Sequence, residues 1–407
     1  MRIVLLNPGL EGGIVKYGWC QADAFRALGA EVTVLAAKNS SVPAPGGVNA
    51  ERVLADEGGE QSRWKVFRAG RIAGNILWNE WQLALTVMRD KPDAVVLATY
   101  MEYLSPLWVF FHLLAKWCTR AAYVAVLHDP VRDFVVGPRW WHDLSVRMAF
   151  WPLSAVFIHQ KLPAAAYVPP RLQVREVPHG LYQGAARGPR APAEARASWN
   201  LPEDSVALLS FGFIRDGKNL DLLIRALSHC PAACLIVMGR VQSEAVCRPV
   251  SFYRELAEAE GVQDRVRFIE GFVPDDELGP CLEAADAIAM TYSASFHSQS
   301  GVLNTIAAAA KPVLASSGES PLKDCVERFQ LGMFVEPDDA AAVIEGLRVV
   351  CDLVSAQRQG LLPHAGAPAL DWEGYRRYAS WETNARVISE TVAEVRGGKQ
   401  ECLAQRR

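Results

Sequence analysis

The chain is expected to fold as two doubly wound α/β domains, Rossmann-like, facing each other across a cleft, with C-terminal helices packing back across them. Three observations predict this. Short apolar runs alternate with amphipathic helical stretches, as parallel strands joined by crossovers require. The alternation occurs twice, and between its two rounds lies YQGAARGPRAPAEARASWN (182–200), which has no apolar period and reads as a linker or mobile loop. Finally, 407 residues, 50% hydrophobic and 21% charged, are enough for two cores rather than one.

In the first round, 3–6, 32–35, 94–98, 124–127 and 156–158 read as buried strands, and 17–28 as a helix stopped by Gly29. In the second, strands are expected at 207–211, 234–239, 266–269, 287–290 and 313–315. Helices are expected between them at 219–227, 252–259, 276–284 and 303–309. The stretch 372–395 reads as one or two amphipathic helices with no strand to follow. The resulting division is 1–185 as a first Rossmann-like domain, 200–365 as a second and 366–407 as a helical tail.

Composition excludes several classes. Forty-two Lys and Arg against 45 Asp and Glu give a net charge of -3, so no global field draws in nucleic acid. Nine cysteines include no CxxC pair, and Cys230 and Cys234 near His229 lack the four convergent ligands of a zinc site, so no metal is expected. Thiols without a disulfide pattern suit a reducing cytoplasm. The opening MRIVLLNPG reads as a first strand rather than a signal-peptide core, and the most apolar stretch, 104–117, is shorter than the ~20 residues that span a bilayer.

In doubly wound sheets ligands sit at the carboxyl ends of strands, so residues just after strands carry the information. After the first strand, NPGLEGGI places Gly12 and Gly13 before a helix, where backbone amides can approach an anion or simply make a tight turn. His128 in LHDP ends a strand and either faces the cleft or satisfies turn carbonyls; His159 in FIHQ and His179 in VPHG follow apolar runs in the same way. Gly212 opens a basic loop in SFGFIRDGKNL, where Arg215 and Lys218 can meet a diphosphate or lie solvated. The small, polar window TYSASFHSQSGVLNT ends at Ser300 and Gly301, at the start of a helix whose first amides suit a phosphate. There Ser300 can also act only as N-cap.

With those motifs in place, the C-terminal half resembles the retaining glycosyltransferases of family 4. The resemblance rests on FGFIRDGKNLDLLIRAL, on VRFIEGFVPDDELGPCLEAADAIAMTY, and on AAAAKPVLASS followed by GMFVEPDD and AAAVIEGL. It is strong over 170–350 and looser before, where GGI, GAEVTVL and His128 carry it. It implies the GT-B fold, a nucleotide diphosphate-sugar donor, retention of anomeric configuration and no obligatory metal. By position it implies that Lys218 holds the donor diphosphate and that the backbone of Ser300, Gly301, Val302 and Leu303 holds phosphate oxygens. Gly212, Arg215 and Gly271 line the donor site, His128 positions the transferred sugar, and Gly12 and Gly13 line the cleft.

Two departures matter. The family's arginine two residues before the variable loop falls on Phe213. Its two glutamates, with seven residues between them, fall on His297 and Thr305, with Asn304 or Thr305 left to bond a ribose. His128, Lys218 and His297 are thus the catalytic candidates, and catalysis would rest on leaving-group stabilisation.

Trp with Arg or Lys is dense at 64–82 and 139–151, which suits either a membrane interface or core-packed helices with solvated basic edges. The expectation is a cytoplasmic enzyme, peripheral on the inner face of the plasma membrane. It would add sugar to a glycan or lipid-linked acceptor in cell-surface polysaccharide synthesis. A non-catalytic GT-B partner of an active transferase is the alternative.

Overall fold

A computed structural model describes residues 1–10, 12–56, 65–98, 102–128, 135, 137–159, 166–181, 191–202, 204–242, 247–271, 273–298, 300–360 and 368–404. Most of the expected linker, 182–190, lies outside the described residues. The chain divides into two compact units, Met1–Tyr182 with Ala379–Arg407, and Gln183–Tyr378.

The first unit runs β1 (Arg2–Asn7), α1 (Gly13–Ala27), β2 (Glu31–Ala37), β3 (Asn49–Leu54), α2 (Lys65–Asp90), β4 (Ala94–Leu97), α3 (Ser105–Thr119), β5 (Ala122–Leu127), α4 (Arg139–Ala149), β6 (Leu153–Ile158) and β7 (Gln173–Glu176). All seven strands are parallel, in the order β3-β2-β1-β4-β5-β6-β7. Strands β4 and β5 are buried at every residue because helices cover both faces, which is why they read as unbroken apolar runs. The edge strands β3 and β7, NAERVL and QVRE, are charged and largely uncovered, and for that reason carried no apolar signal. Helix α1 ends in a Schellman motif: Gly29 at φ 81° donates to Arg26, and Ala30 to Phe25.

The second unit runs α5 (Pro192–Ser198), β8 (Val206–Phe211), α6 (Leu220–Ser228), β9 (Ala233–Gly239), α7 (Val250–Ala259), β10 (Val266–Glu270), α8 (Asp275–Ala284), β11 (Ala287–Thr291), α9 (Gly301–Ile306), β12 (Val313–Ser316), α10 (Pro321–Arg328), β13 (Gly332–Phe334), α11 (Ala340–Arg358) and α12 (Trp372–Tyr378). Its six parallel strands follow the order β10-β9-β8-β11-β12-β13, so in both sheets the order reverses beside the unit's first strand.

The tail is shared between the units. Trp372 and Tyr375 of α12 are buried in the second, with Tyr375 against Phe329. The last helix, α13 (Trp381–Ala404), belongs to the first unit, where Ala385, Ile388 and Val392 line one face of α13 and join the core of Tyr17 and Phe25. A buried polar clamp fixes α13: Asn384 Nδ2 donates to Pro178 O at 2.8 Å and to Tyr17 Oη at 3.0 Å, and Gln21 Nε2 donates to Asn384 Oδ1 at 3.0 Å.

Candidate functional site

In the second unit the loops after β8 and β11 leave the sheet at the strand-order reversal, where ligands of such sheets bind. Phe211 ends β8, and Gly212 follows at φ 93°, a conformation that favours glycine. A methyl group on Gly212 would lie 3.6 Å from Lys218 Nζ and 4.0 Å from Val302 Cγ2, so Gly212, Lys218 and Val302 share one wall. Gly239 is demanded by close approach, since a Cβ there would meet Gly212 O at 2.0 Å.

Lys218 is 8% exposed, and its ammonium donates to Phe211 O at 2.6 Å. Burial, then the neighbouring Arg215 charge, pull its pKa down to about 7. A buried cation held by one carbonyl is costly, and a phosphate dianion is the partner that would repay that cost. Arg215 is held over an aromatic pair: its guanidinium lies 5.7 Å from the Tyr292 ring and 5.6 Å from Phe296, which stack on each other at 4.1 Å.

The window 291–305 is pinned to the Lys218 loop. Thr291 Oγ1 donates to Lys218 O at 3.0 Å, and Ser293 N to Gly217 O at 2.9 Å. Asp338 bridges the two loops, accepting from Asn219 Nδ2 and Ala294 N, both at 2.8 Å. Ser300 stands at the N-cap of α9 with its hydroxyl 3.2 Å from Tyr292 Oη and no side-chain cap bond, so the first amides of the helix, Gly301 to Leu303, lack an intrahelical partner. Leu303 is fully buried.

Other candidates have partners within this unit. His297 Nδ1 meets Glu319 O at 3.1 Å, and Gly318 admits that loop because a Cβ would lie 2.2 Å from Ala294 O. Asn304 is buried and accepts from Tyr375 Oη, while Thr305 Oγ1 donates to Gly301 O at 2.9 Å within its own helix. Gly271, at φ 129°, donates to Gly239 O at 3.1 Å. Among the described residues no group of three or more His, Cys, Asp or Glu is placed to hold a metal.

The first unit gathers its histidines. His128, His159 and His179, at the ends of β5 and β6 and after β7, surround Tyr17, with ring centroids 4.6, 5.6 and 5.0 Å away. Trp381 closes the group at 4.9 Å from Tyr17 and 5.7 Å from His179. Carbonyls fix the tautomers: His128 Nε2 donates to Ala98 O, His159 Nδ1 to Val177 O and His179 Nδ1 to Gly180 O, each at 2.9 Å. Burial, then the charges of His128 and His179, hold His159 well below the usual imidazole range. Burial, then His128, brings His179 down to about 3. Gly12 caps α1 at φ 94°, and open space surrounds the position a Cβ would take; Gly13 is the first residue of the helix.

Sequence reasoning did not single out Tyr17, Trp381 or Asn384 in the first unit. In the second it did not single out Asp338, Gly239, Gly318 or the Tyr292 and Phe296 pair. Gly239 carried a signal, a glycine ending an apolar run; the other positions depend on contacts that no local pattern encodes.

Residues 193–357 match the family model described as Glycosyl transferases group 1, so the chain carries a domain of that kind. A D-inositol 3-phosphate glycosyltransferase of Salinispora tropica is 31% identical over 229 residues, covering 52% of this chain and 44% of that protein, so the alignment spans less than half of the curated relative. Among solved structures, sucrose-phosphate synthase from Thermosynechococcus elongatus aligns over 98% of this chain and 99% of that one, with a TM-score of 0.68 at 16% identity. The glycosyltransferase WaaG, involved in lipopolysaccharide biosynthesis, aligns over 96% and 99%, with 0.62 at 17%. HepE of Anabaena, solved in complex with UDP, aligns over 97% and 100%, with 0.65 at 16%. At these identities the likeness establishes the fold, two parallel-sheet Rossmann-like domains of GT-B type.

Proposed function

We propose that the chain is a glycosyltransferase that takes a sugar from a nucleotide diphosphate-sugar, with retention, and passes it to a glycan or lipid-linked acceptor in cell-surface polysaccharide synthesis at the cytoplasmic face of a membrane. The observation that carries this reading is Lys218, a buried ammonium beside Gly212 and Val302 at the strand-order reversal of the second sheet. Lys218 neutralises the diphosphate as it leaves, and the first amides after Ser300 donate to its oxygens. Arg215, braced on Tyr292 and Phe296, adds charge beside them. His128 is assigned by resemblance to positioning the transferred sugar. With His297 and Thr305 where the family carries glutamates, no carboxylate from those positions takes part. Binding and leaving-group stabilisation supply the rate.

Thermal unfolding with uridine, guanosine and adenosine diphosphates tests the donor site. One of them should raise the melting temperature, and Lys218→Ala should remove most of that rise. No shift with any of the three overturns the reading.

The side-chain bonds of His297 to Glu319 and of Thr305 to Gly301 favour a second reading, a non-catalytic partner of an active transferase. Slow hydrolysis of a sugar nucleotide by the purified chain eliminates it.

A further inference from the structure

Three consecutive helices of the first unit turn apolar stripes to solvent. In α3, Leu107, Phe110, Leu114 and Trp117 recur at three- and four-residue steps, the spacing of one helix face, yet Phe110 is 56% and Trp117 79% exposed. The opposite face of α3, with Trp108, Val109 and His112, is the buried one. In α4 the exposed apolar positions are Trp140, at 66%, and Leu144, with Trp151 just beyond the helix; Arg139, Asp143 and Arg147 are exposed beside them. In α2 they are Phe67, at 74%, Trp78, Trp81 and Leu85, with Arg71 and Gly74 completing the same period.

These faces adjoin. Trp81 of α2 meets Phe111 of α3 at 5.1 Å, and Phe110 of α3 meets Trp151 at 6.5 Å. All the exposed tryptophans among the described residues, Trp78, Trp81, Trp117, Trp140 and Trp151, belong to these three helices or lie just beyond α4. So large an apolar exposure marks an interaction site rather than ordinary surface.

Charge selects the partner. By sequence, segments 65–90, 105–120 and 139–151 carry eight Lys and Arg against three Asp and Glu, an excess of five in a chain whose net charge is -3, with Arg89 paired to Glu51 and Asp90 and Lys116 held by Pro152 and Ser154. Two copies meeting through this same face would bring the two positive surfaces together, which disfavours a symmetric dimer. Tryptophans interspersed with arginines are instead the composition of a protein that rests in the headgroup region of an anionic bilayer, rings at the interface and cations on phosphate. No described helix is long and apolar enough to cross a membrane, so the contact is with one leaflet.

We infer that the solvent face of α2, α3 and α4 is a docking surface for an anionic lipid bilayer, with Trp117, Phe110 and Trp140 inserting and Arg71, Arg120 and Arg139 contacting lipid phosphate. The inference concerns the first unit alone and does not rest on the donor reading, because vesicle binding and the nucleotide shift are separate readouts.

Flotation of the full chain with phosphatidylcholine vesicles, with and without roughly one-third phosphatidylglycerol, tests it. The protein should float with the anionic vesicles and more weakly with the neutral ones. Trp117→Ser with Trp140→Ser should cut the bound fraction at least about tenfold, and Arg120→Glu with Arg139→Glu should abolish the preference for anionic lipid. Both variants should keep the wild-type melting transition of the first unit, which shows that it folds. Failure to float, or flotation untouched by both variants, overturns the inference. So does a concentration-dependent dimer that Trp117→Ser dissolves in a chain that does not bind vesicles.

Discussion

In the second unit Lys218 lies seven residues from the carbonyl that holds it. In the first unit Tyr17 and Asn384, 367 residues apart in sequence, share a hydrogen bond under a roof of three histidines and Trp381. One polar group is therefore built by a single strand, loop and helix, and the other by α1, three strand ends and the last helix of the chain. The Lys218 ammonium is bonded locally, although Thr291, Ser293 and Asp338 brace the loop that carries it. A convergent group reports on the integrity of the whole unit, and disturbing any member should spread through the others.

The largest effect is expected at Trp381. A Cβ on Gly180 would already lie 2.1 Å from the Trp381 ring, and Trp381 also packs on Tyr17 and His179. Trp381→Ala should cost the first unit about 3 kcal/mol, the scale of large aromatic truncations. Calorimetry should show an early melting transition while the nucleotide shift of the second unit persists. Equal loss in both units would erase the distinction drawn above.

Acid should act on the first unit next. His159 and His179 are held below the imidazole value of unfolded chains, so the unfolded state binds more protons once pH drops under 6.5. Their contribution is complete above that pH and is lost as pH falls toward about 3, the value for His179. Two buried imidazoles make this roughly 2 to 3 kcal/mol at pH 5.5. Urea melts at pH 8 and 5.5 check it. His159→Gln should flatten the slope, and an unchanged slope would mean that the imidazole is not the titrating group.

The same contrast explains what was legible in the sequence. Gly212, Lys218 and Val302 share a wall because the loop after β8 and the start of α9 both follow apolar strands whose ends the pattern marks. His128, His159 and His179 were each visible as a residue after an apolar run, but nothing in their neighbourhoods announces that they meet around Tyr17. That meeting is set by the strand order β4-β5-β6-β7 and by α13 returning to α1. β3 and β7 were missed because edge strands are polar. The exposed stripes of α2 and α4 read equally well as core faces, since periodicity identifies an apolar face and not what covers it.

Lys218→Met separates binding from stability. Removing an ammonium that is buried against one carbonyl should leave the melting temperature of the free protein equal or higher. The same change should weaken nucleoside diphosphate binding by about 10- to 100-fold, the worth of a charge-assisted bond. Titration calorimetry and thermal unfolding read the two separately. If the free protein is destabilised while affinity holds, Lys218 is a structural group and the site lies elsewhere.

The smallest expected effect is a proton. With its pKa drawn down to about 7, Lys218 is mostly neutral at pH 8 in the free protein, and a bound diphosphate, bringing negative charge to the ammonium, pushes that pKa back up. Binding at pH 8 should therefore take up close to one proton, seen as a dependence of the calorimetric heat on the buffer's ionisation enthalpy. Because the free state binds fewer protons than the complex above pH 7, affinity should fall as pH rises there, by up to about tenfold per unit. Below pH 7 Lys218 is charged in both states, and its contribution to the pH dependence should vanish. Lys218→Met should remove the uptake altogether. Equal uptake in the variant would assign the proton to another group and leave Lys218 a spectator, which would make the local device of the second unit a feature of packing rather than of binding.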